Sequence, residues 1–187
     1  MAEMKQSSTP TAIVTGASMG IGRQIAVDLA CAGYSVVLVA RRREQLERTK
    51  QVCLARAPKS TVVCCPVDVT SRGAAQKITD CALQRFGRIT VLVNNVGVNI
   101  RQSLVGAMHD IPAAAAVLRK TMDVNVQSVM ELTMAALPHL LRNALPGSRH
   151  DAAYVGAVWH NSHEESQCAM KLSEVTFLAS SHWAGVQ

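Results

Sequence analysis

The chain has 187 residues, of which 49% are hydrophobic and 17% charged, a balance that predicts one globular domain and excludes an intrinsically disordered chain. The formal net charge is +6, but the basic residues are scattered and only two each of Trp, Tyr and Phe occur, which argues against nucleic-acid binding. No apolar run approaches the ~18 residues of a membrane-spanning helix and residues 1–10 are polar, so we expect a cytoplasmic protein without a signal segment.

Neither the cysteines nor the histidines are spaced as metal ligands. The six cysteines include no Cys-x-x-Cys pair, and Cys64 and Cys65 are adjacent within an apolar run, which indicates free thiols in a reducing compartment. His160 and His163, even with Cys168 nearby, match no established metal-ligand spacing. The sequence therefore predicts no metal site.

Short apolar runs alternate with longer amphipathic segments along the first half of the chain. The runs at residues 12–15, 35–40, 61–66 and 91–95 are continuously apolar, which is typical of strands covered on both faces. Between them, residues 20–32, 43–57 and 71–86 have helical spacing, and Gly33 and Gly87 are plausible C-terminal stops. This alternation predicts an α/β fold with a doubly wound parallel sheet and helices on both faces.

A glycine-rich turn separates the first predicted strand from the first predicted helix. Its sequence is Thr15-Gly16-Ala17-Ser18-Met19-Gly20-Ile21-Gly22. A helix N-terminus presents unpaired N–H groups and the positive end of the helix dipole, so a pyrophosphate can bind there. Gly16 and Gly20 permit a tight turn and close backbone approach, and Gly22 lets the helix pack against the strand. The turn predicts a dinucleotide-binding site.

The end of the second strand predicts which nicotinamide cofactor is preferred. An acid at this position would hydrogen-bond a ribose 2′-hydroxyl, but here Arg41 and Arg42 follow the strand and the first acid is Glu44, inside the next helix. A guanidinium group can hold a phosphate bidentately, which favours NADP(H). The alternative, that these arginines only solvate the helix start, is opposed by the helix dipole.

Residues 112–142 have a helical pattern, in which Pro138 is predicted to kink or disrupt the helix. Its apolar face consists of Val126, Val129, Leu132, Ala136, Leu137 and Leu140. The composition changes near residue 145, since four of the six aromatic residues and four of the six histidines follow it. We therefore expect a dinucleotide-binding domain at residues 1–144 and a divergent tail at 145–187, with one candidate strand at 152–158.

Four motifs in this order resemble the short-chain dehydrogenase/reductase family, over about residues 10–144. They are Thr15 to Gly22, Val67-Asp68-Val69-Thr70, Asn94-Asn95-Val96-Gly97, and Asp123-Val124-Asn125-Val126. The resemblance implies a Rossmann-like sheet, the cofactor NADP, a small carbonyl or alcohol substrate, and a homo-oligomer formed through the helix near 123–143. It also implies a catalytic role for Asn125. The cofactor-binding residues so implied are Thr15, Gly16, Ser18, Gly20, Ile21, Gly22, Arg41, Arg42, Asp68, Val69, Asn95 and Gly97.

The family's proton donor, a Tyr followed four residues later by a Lys, is not found. Leu38 stands four residues after Tyr34, and Val158 stands four residues after Tyr154. The tail residues that come nearest to the family's Ser, Tyr and Lys are Ser162, Gln167 and Lys171. Glutamine cannot donate a proton at neutral pH, and the gap from Ser162 to Gln167 is too short for the family's spacing.

Two hypotheses follow from this mismatch. The first is an NADP-dependent oxidoreductase of this family whose activity is impaired in this chain. The second is a nucleotide-binding but non-catalytic sensor or partner subunit, such as a frameshifted or alternatively spliced product. Under both hypotheses we expect a parallel sheet that is incomplete at its C-terminal end.

Overall fold

The computed structural model describes residues 9–98 and 110–142, together with the backbone of residues 153–156. The strands are β1 (Thr11–Thr15), β2 (Ser35–Ala40), β3 (Val62–Pro66), β4 (Val91–Asn94) and β5 (Ala153–Gly156). The helices are α1 (Gly20–Cys31), α2 (Arg43–Arg56), α3 (Ala74–Phe86), α4 (Ile111–Met122) and α5 (Ser128–Arg142). A π-helical turn, Asp123–Gln127, connects α4 to α5.

The five strands form one parallel sheet in the order β3-β2-β1-β4-β5. The strand order reverses at β1, because β2 and β3 lie on one side of it and β4 and β5 on the other. In open α/β sheets such a reversal opens a crevice at the carboxyl ends of the strands, where ligands bind. The sheet confirms the predicted doubly wound α/β class, and β5 lies within the candidate segment 152–158.

The sheet is covered on both faces, which explains the continuously apolar runs. Successive side chains of a strand point to opposite faces. Val14 therefore belongs to the buried cluster beneath α1 and α2, whereas Ile13 belongs to the cluster beneath α3 and α5. Both side chains are fully buried. Each contributes roughly 1.5–3 kcal/mol through the hydrophobic effect.

Helix α3 begins at Ala74 rather than at the predicted residue 71. Ser71 instead closes a turn, since its backbone N–H and its hydroxyl both donate to the carbonyl oxygen of Asp68, at 3.0 and 2.7 Å. Gly73 then adopts a left-handed conformation, with φ of 73°, immediately before the helix. Residues 71–73 carry no apolar side chain, so the apolar spacing could not locate the start of the helix, which the Asp68–Ser71 turn sets.

The long helix at residues 112–142 is interrupted at Asp123–Gln127, and α5 includes Pro138 rather than ending there. The backbone N–H of Ser128 bonds to the carbonyl of Asp123, five residues earlier. The Ser128 hydroxyl donates to the carbonyl of Val124 at 2.7 Å. In a regular α-helix that carbonyl would accept from the Ser128 N–H, which here bonds to Asp123 instead. The predicted disruption of the helix at Pro138 is wrong, whereas the alternative, a kink at Pro138, stays a prediction.

The apolar face predicted for α5 is divided between core and surface. Leu132, Ala136 and Leu140 are buried against α3 and the sheet, as predicted for core residues. A second set is exposed and recurs every three or four residues along α4, the π turn and α5. This set, the apolar stripe, consists of Leu118, Met122, Val126, Met130, Met134, Leu137 and Leu141.

Within residues 9–98 and 110–142, none of the helices combines the length and hydropathy that a bilayer crossing requires. The proposed boundary at residue 145 and the tail residues Ser162, Gln167 and Lys171 lie outside the described residues, as do His160 and His163. These assignments stay predictions.

Candidate functional site

Thr15 joins the carboxyl ends of β1 and β4 at the crevice. Its side chain is buried, and its Oγ1 donates to the carbonyl of Val93 at 3.2 Å. The same oxygen accepts from the backbone N–H groups of Asn95 and Val96, at 2.9 and 3.1 Å. One hydroxyl therefore fixes the glycine turn after β1 against the loop after β4.

The Asn95 side chain supports the glycine turn from beneath. Its Nδ2 donates to the carbonyl oxygen of Thr15 at 3.0 Å and to that of Gly16 at 3.5 Å. A Cβ atom on Gly16 would lie 2.7 Å from this nitrogen, and a Cβ on Gly22 would overlap both the Gly16 carbonyl oxygen and the Asn95 amide. Both glycines are therefore required by the packing of the turn itself.

Gly20 differs, because a Cβ there would meet no protein atom within 4 Å. Its φ of 56° is in the left-handed region, and it begins α1. Met19 caps this helix without a side-chain hydrogen bond, and the first turn contains no acidic residue. The first N–H groups of α1, including that of the exposed Ile21, are thus suited to an anion, and the open space above Gly20 fits a pyrophosphate.

Helix α2 holds the glycine turn from the other side. The Ser18 carbonyl accepts from Nη2 of Arg23 at 2.8 Å and from the Thr49 hydroxyl at 3.4 Å, and Arg23 Nε donates to Thr49 Oγ1 at 3.2 Å. The backbone N–H of Ala17 also donates to the carbonyl of Val39, at the end of β2. Sequence reasoning missed Arg23 and Thr49, because nothing in either helix pattern marks a partner 26 residues away.

The carboxyl ends of β2 and β3 bring Arg41 and Asp68 together. The backbone N–H of Val67 donates to the carbonyl of Ala40 at 3.0 Å, which extends the pairing of the two strands to this edge. Arg41 and Arg42 are both exposed, and Val69 is half-buried against the cluster beneath α3 and α5. The edge therefore places two guanidinium groups and one carboxyl group next to the crevice.

Asp68 remains ionised at neutral pH. Its Oδ1 accepts from the backbone N–H of Thr70 at 3.0 Å and from the Thr70 hydroxyl at 2.8 Å. These two bonds hold the pKa of Asp68 below its usual range, and the nearby charge of Arg41 acts in the same direction. The carboxylate is thus a fixed hydrogen-bond acceptor.

Asn125 lies in the π turn and faces the loop after β4. Its Oδ1 accepts from the backbone N–H of Val98, and its Nδ2 donates to the carbonyl of Val98, both at 2.8 Å. A Cβ on Gly97 would make an ordinary contact of 3.6 Å with Asn125 Oδ1. The amide of Asn125 therefore positions the loop that carries Gly97, and its predicted catalytic role stays a prediction.

The predicted site residues thus line four neighbouring strand ends. The glycine turn follows β1, Arg41 and Asp68 follow β2 and β3, and Asn95 and Gly97 follow β4, where Asn125 packs against them. Asn94 is buried and donates through Nδ2 to the Thr133 hydroxyl at 3.1 Å, which ties β4 to α5. Among the described residues, no cluster of His, Cys, Asp and Glu side chains could hold a metal ion.

Known proteins share both the sequence and the fold. Residues 10–148 match the family model for short chain dehydrogenase. The human dehydrogenase/reductase SDR family member 7 is 38% identical over 130 residues, which cover 68% of this chain and 37% of that protein.

Two solved structures align with similar scores. The alcohol dehydrogenase from the archaeon Thermococcus sibiricus, complexed with 5-hydroxy-NADP, has a TM-score of 0.63 and 28% identity, covering 72% of this chain and 54% of that one. A 7α-hydroxysteroid dehydrogenase complexed with NADH and 7-oxo glycochenodeoxycholic acid has a TM-score of 0.63 and 28% identity, covering 72% and 49%.

The chain spans only part of such relatives, for example 51% of a Streptomyces violaceoruber protein and 35% of an Arabidopsis thaliana one. Within that span, the family match extends through all the strand ends described above, from the glycine turn to Asn125. The chain therefore belongs to the short-chain dehydrogenase/reductase family, whose members are oxidoreductases.

Proposed function

We propose that this chain binds NADP(H) and holds the adenosine 2′-phosphate with Arg41 and Arg42. The proposal rests on the exposure and, among the described residues, the unpaired charge of these two side chains at the carboxyl end of β2. Both are exposed, and the ion pairs found within residues 9–98 and 110–142 include neither of them. Two guanidinium groups in this state can form charge-assisted, bidentate hydrogen bonds with a phosphate.

The position of the nearest acids supports the phosphate over a free hydroxyl. The first acid after β2 is Glu44, which lies in the first turn of α2, where the helix dipole favours a negative charge. Asp68 is at the same edge, but Thr70 already donates two hydrogen bonds to its carboxylate. Solved structures of this fold hold NADP-type and NADH ligands alike, so the fold alone does not select the cofactor, and we assign the preference to Arg41 and Arg42.

The remaining parts of the crevice fit the rest of the cofactor. The N–H groups at the start of α1 would bind the pyrophosphate, and the fixed carboxylate of Asp68, with Val69, would contact the adenine ring. Asn95 and Gly97 would border the nicotinamide, which supplies a hydride to a carbonyl carbon when the cofactor is bound. We infer that the reaction class is carbonyl or alcohol oxidoreduction on a small molecule.

The test compares NADPH with NADH in a calorimetric titration of the full chain. We expect the Arg41→Ala, Arg42→Ala double variant to lose at least about 100-fold in NADPH affinity, because each charged hydrogen bond contributes about 1.5–3 kcal/mol and the variant removes the donors of two. Its NADH affinity should change little. Arg48→Ala is the matched control, since it removes one exposed positive charge from α2 without touching the site. Equal affinity of the unaltered chain for both cofactors would overturn the proposal.

We further propose that the polypeptide of these 187 residues turns over slowly. A hydride added to a carbonyl carbon leaves an alkoxide that needs a proton, and no Tyr-x-x-x-Lys pair occurs in the sequence to provide it. A positioned acid normally contributes about 10² to 10⁴ in rate. A non-catalytic, nucleotide-binding partner subunit is thus the second candidate, for which the missing proton donor is the reason.

A turnover assay separates these two candidates. NADPH oxidation is followed by absorbance against ketones, aldehydes and quinones, beside a Gly20→Val control that exposes contaminating host reductases. The partner role predicts NADPH binding without turnover. Robust turnover that disappears in the control would establish the oxidoreductase instead.

A further inference from the structure

A surface groove of about 710 Å³ lies between β3 and α3. None of the predicted cofactor-binding residues lines it, and β3 is the edge strand of the sheet. Three cysteines border the groove, Cys64 and Cys65 from β3 and Cys81 from α3, and the exposed Lys77 lies one helical turn before Cys81. Asp80 and Arg85 provide the other charges on its rim.

The two adjacent cysteines of β3 have different surroundings. Cys65 is 3% exposed and belongs to the buried cluster beneath α3. Cys64 points to the opposite face, where it packs against the cluster beneath α1 and α2. Burial and the nearby carboxylate of Glu47 raise the pKa of Cys64 to about 11, so this thiol is protonated at neutral pH.

Cys65 and Cys81 face the same groove from neighbouring elements, and Cys81 packs against the buried cluster that contains Cys65. The interaction with the Cys65 thiol lowers the pKa of Cys81, although burial opposes this shift. The interaction with Cys81 and burial raise the pKa of Cys65. Cys81 is also the more accessible of the two, since it is half-buried and lines the groove, whereas Cys65 is buried.

We propose that Cys65 and Cys81 form a dithiol that hydroperoxides oxidise, with Cys81 as the attacking sulfur and Cys65 as the resolving thiol. In the first step, the Cys81 thiolate attacks one oxygen of hydrogen peroxide. An S–O bond forms, the O–O bond breaks, and hydroxide leaves. In the second step, the Cys65 sulfur attacks Cys81, an S–S bond forms, and the hydroxyl group leaves as water with the Cys65 proton. Both thiols are oxidised and the peroxide is reduced.

The arrangement suits this chemistry in three respects. A thiol with a pKa near ambient pH is the best attacking group, because it combines thiolate population with nucleophilicity. The resolving thiol belongs to the cluster against which Cys81 packs, so disulfide formation requires a local adjustment of β3 and α3 that brings the two sulfurs to about 2.05 Å. The three cysteines are not a metal site, since no metal-binding cluster occurs among the described residues.

The test maps oxidation by peptide mass spectrometry on the full chain. After a brief exposure to hydrogen peroxide, free thiols are alkylated and the chain is digested with trypsin without reduction. Cys65 then lies in peptide 60–72, Cys81 in 78–85 and Cys53 in 51–56. We expect a 60–72 to 78–85 cross-link, and Cys81 oxidised at least about tenfold faster than Cys53, whose pKa burial raises to about 11.

Two variants identify the partner. In Cys65→Ala, Cys81 should react several-fold more slowly, and its sulfenic acid should be trapped by dimedone without a cross-link. Cys64→Ala, the matched control from the same strand, should still form the cross-link. Oxidation of Cys81 no faster than Cys53 in the unaltered chain would overturn the proposal. A cross-link that survives in Cys65→Ala but disappears in Cys64→Ala would do so as well.

Discussion

The glycine turn keeps its shape through side chains that come from neighbouring elements. Thr15 Oγ1 and Asn95 Nδ2 bond to backbone groups on both sides of the crevice, and Arg23 holds the Ser18 carbonyl. None of these bonds uses the first N–H groups of α1, which are the groups that we propose bind the pyrophosphate. The turn is therefore held by protein contacts at Thr15 and Ser18, whereas the space next to Gly20 is open.

Replacing Gly20 with Val should abolish nucleotide binding while leaving the chain folded. The new side chain meets no protein atom, so its structural cost is the left-handed backbone, about 1–2 kcal/mol. It occupies the space proposed for the pyrophosphate. Thermal melting and NADPH titration measure the two effects.

The contrasting variant is Gly22→Ala. Its Cβ overlaps the Gly16 carbonyl oxygen and the Asn95 amide, so we expect a loss of about 1–3 kcal/mol in stability. Unchanged NADPH affinity in Gly20→Val would show that the pyrophosphate does not bind at this turn.

Most strand and helix bounds could be predicted from sequence, because covered strands appear as continuous apolar runs and glycines mark helix ends. Gly87 is an example, since it ends α3 in a left-handed conformation. The π turn could not be predicted in this way. It depends on Asn125 bonding to Val98, 27 residues away, and on the Ser128 hydroxyl bonding to the Val124 carbonyl, neither of which changes the apolar spacing.

Replacing Asn125 with Ala should destabilise the junction between the β4 loop and the π turn. The Val98 N–H and carbonyl would both lose their partner, and an unsatisfied buried polar group costs about 1–3 kcal/mol. Urea unfolding measures the loss. Gln127→Ala is the control, because this exposed side chain of the same turn bonds only to Glu131 among the described residues. Equal stabilities of the two variants would contradict the positioning role of Asn125.

At the scale of the whole molecule, the residues of the candidate site that lie just after strand ends could be predicted from the sequence. Parallel strands deliver their carboxyl ends to one edge, so Gly16, Arg41, Asp68 and Gly97 meet there although they are distant in sequence. The support from Arg23 and Thr49 depends on how α1 packs on α2. The division of the predicted apolar face between core and surface could not be predicted either, since only packing decides which positions of such a face are covered.

We expect the chain to self-associate through the apolar stripe. Met130 and Met134 are 57% and 68% exposed, which is unfavourable for a monomer in water. The double variant Met130→Glu, Met134→Glu should shift the molar mass in light scattering toward the 20.0 kDa of one chain. Glu131→Lys, which changes an exposed residue outside the stripe, should not. A monodisperse monomer of the unaltered chain would refute this expectation.

Arg42 lies at the N-terminus of helix α2. Thr49, whose hydroxyl donates to the Ser18 carbonyl, lies two turns later in the same helix. Seven residues of α-helix measure roughly 10 Å, so one rigid rod sets the separation between the proposed 2′-phosphate site and the pyrophosphate site. The spacing is preorganised when α2 docks during folding. A ligand with both phosphate groups makes two contacts for a single loss of translational and rotational freedom. A mononucleotide loses the same freedom but makes only one contact. If both proposed phosphate sites are occupied, discrimination against smaller nucleotides would come from the helix rather than from any single residue.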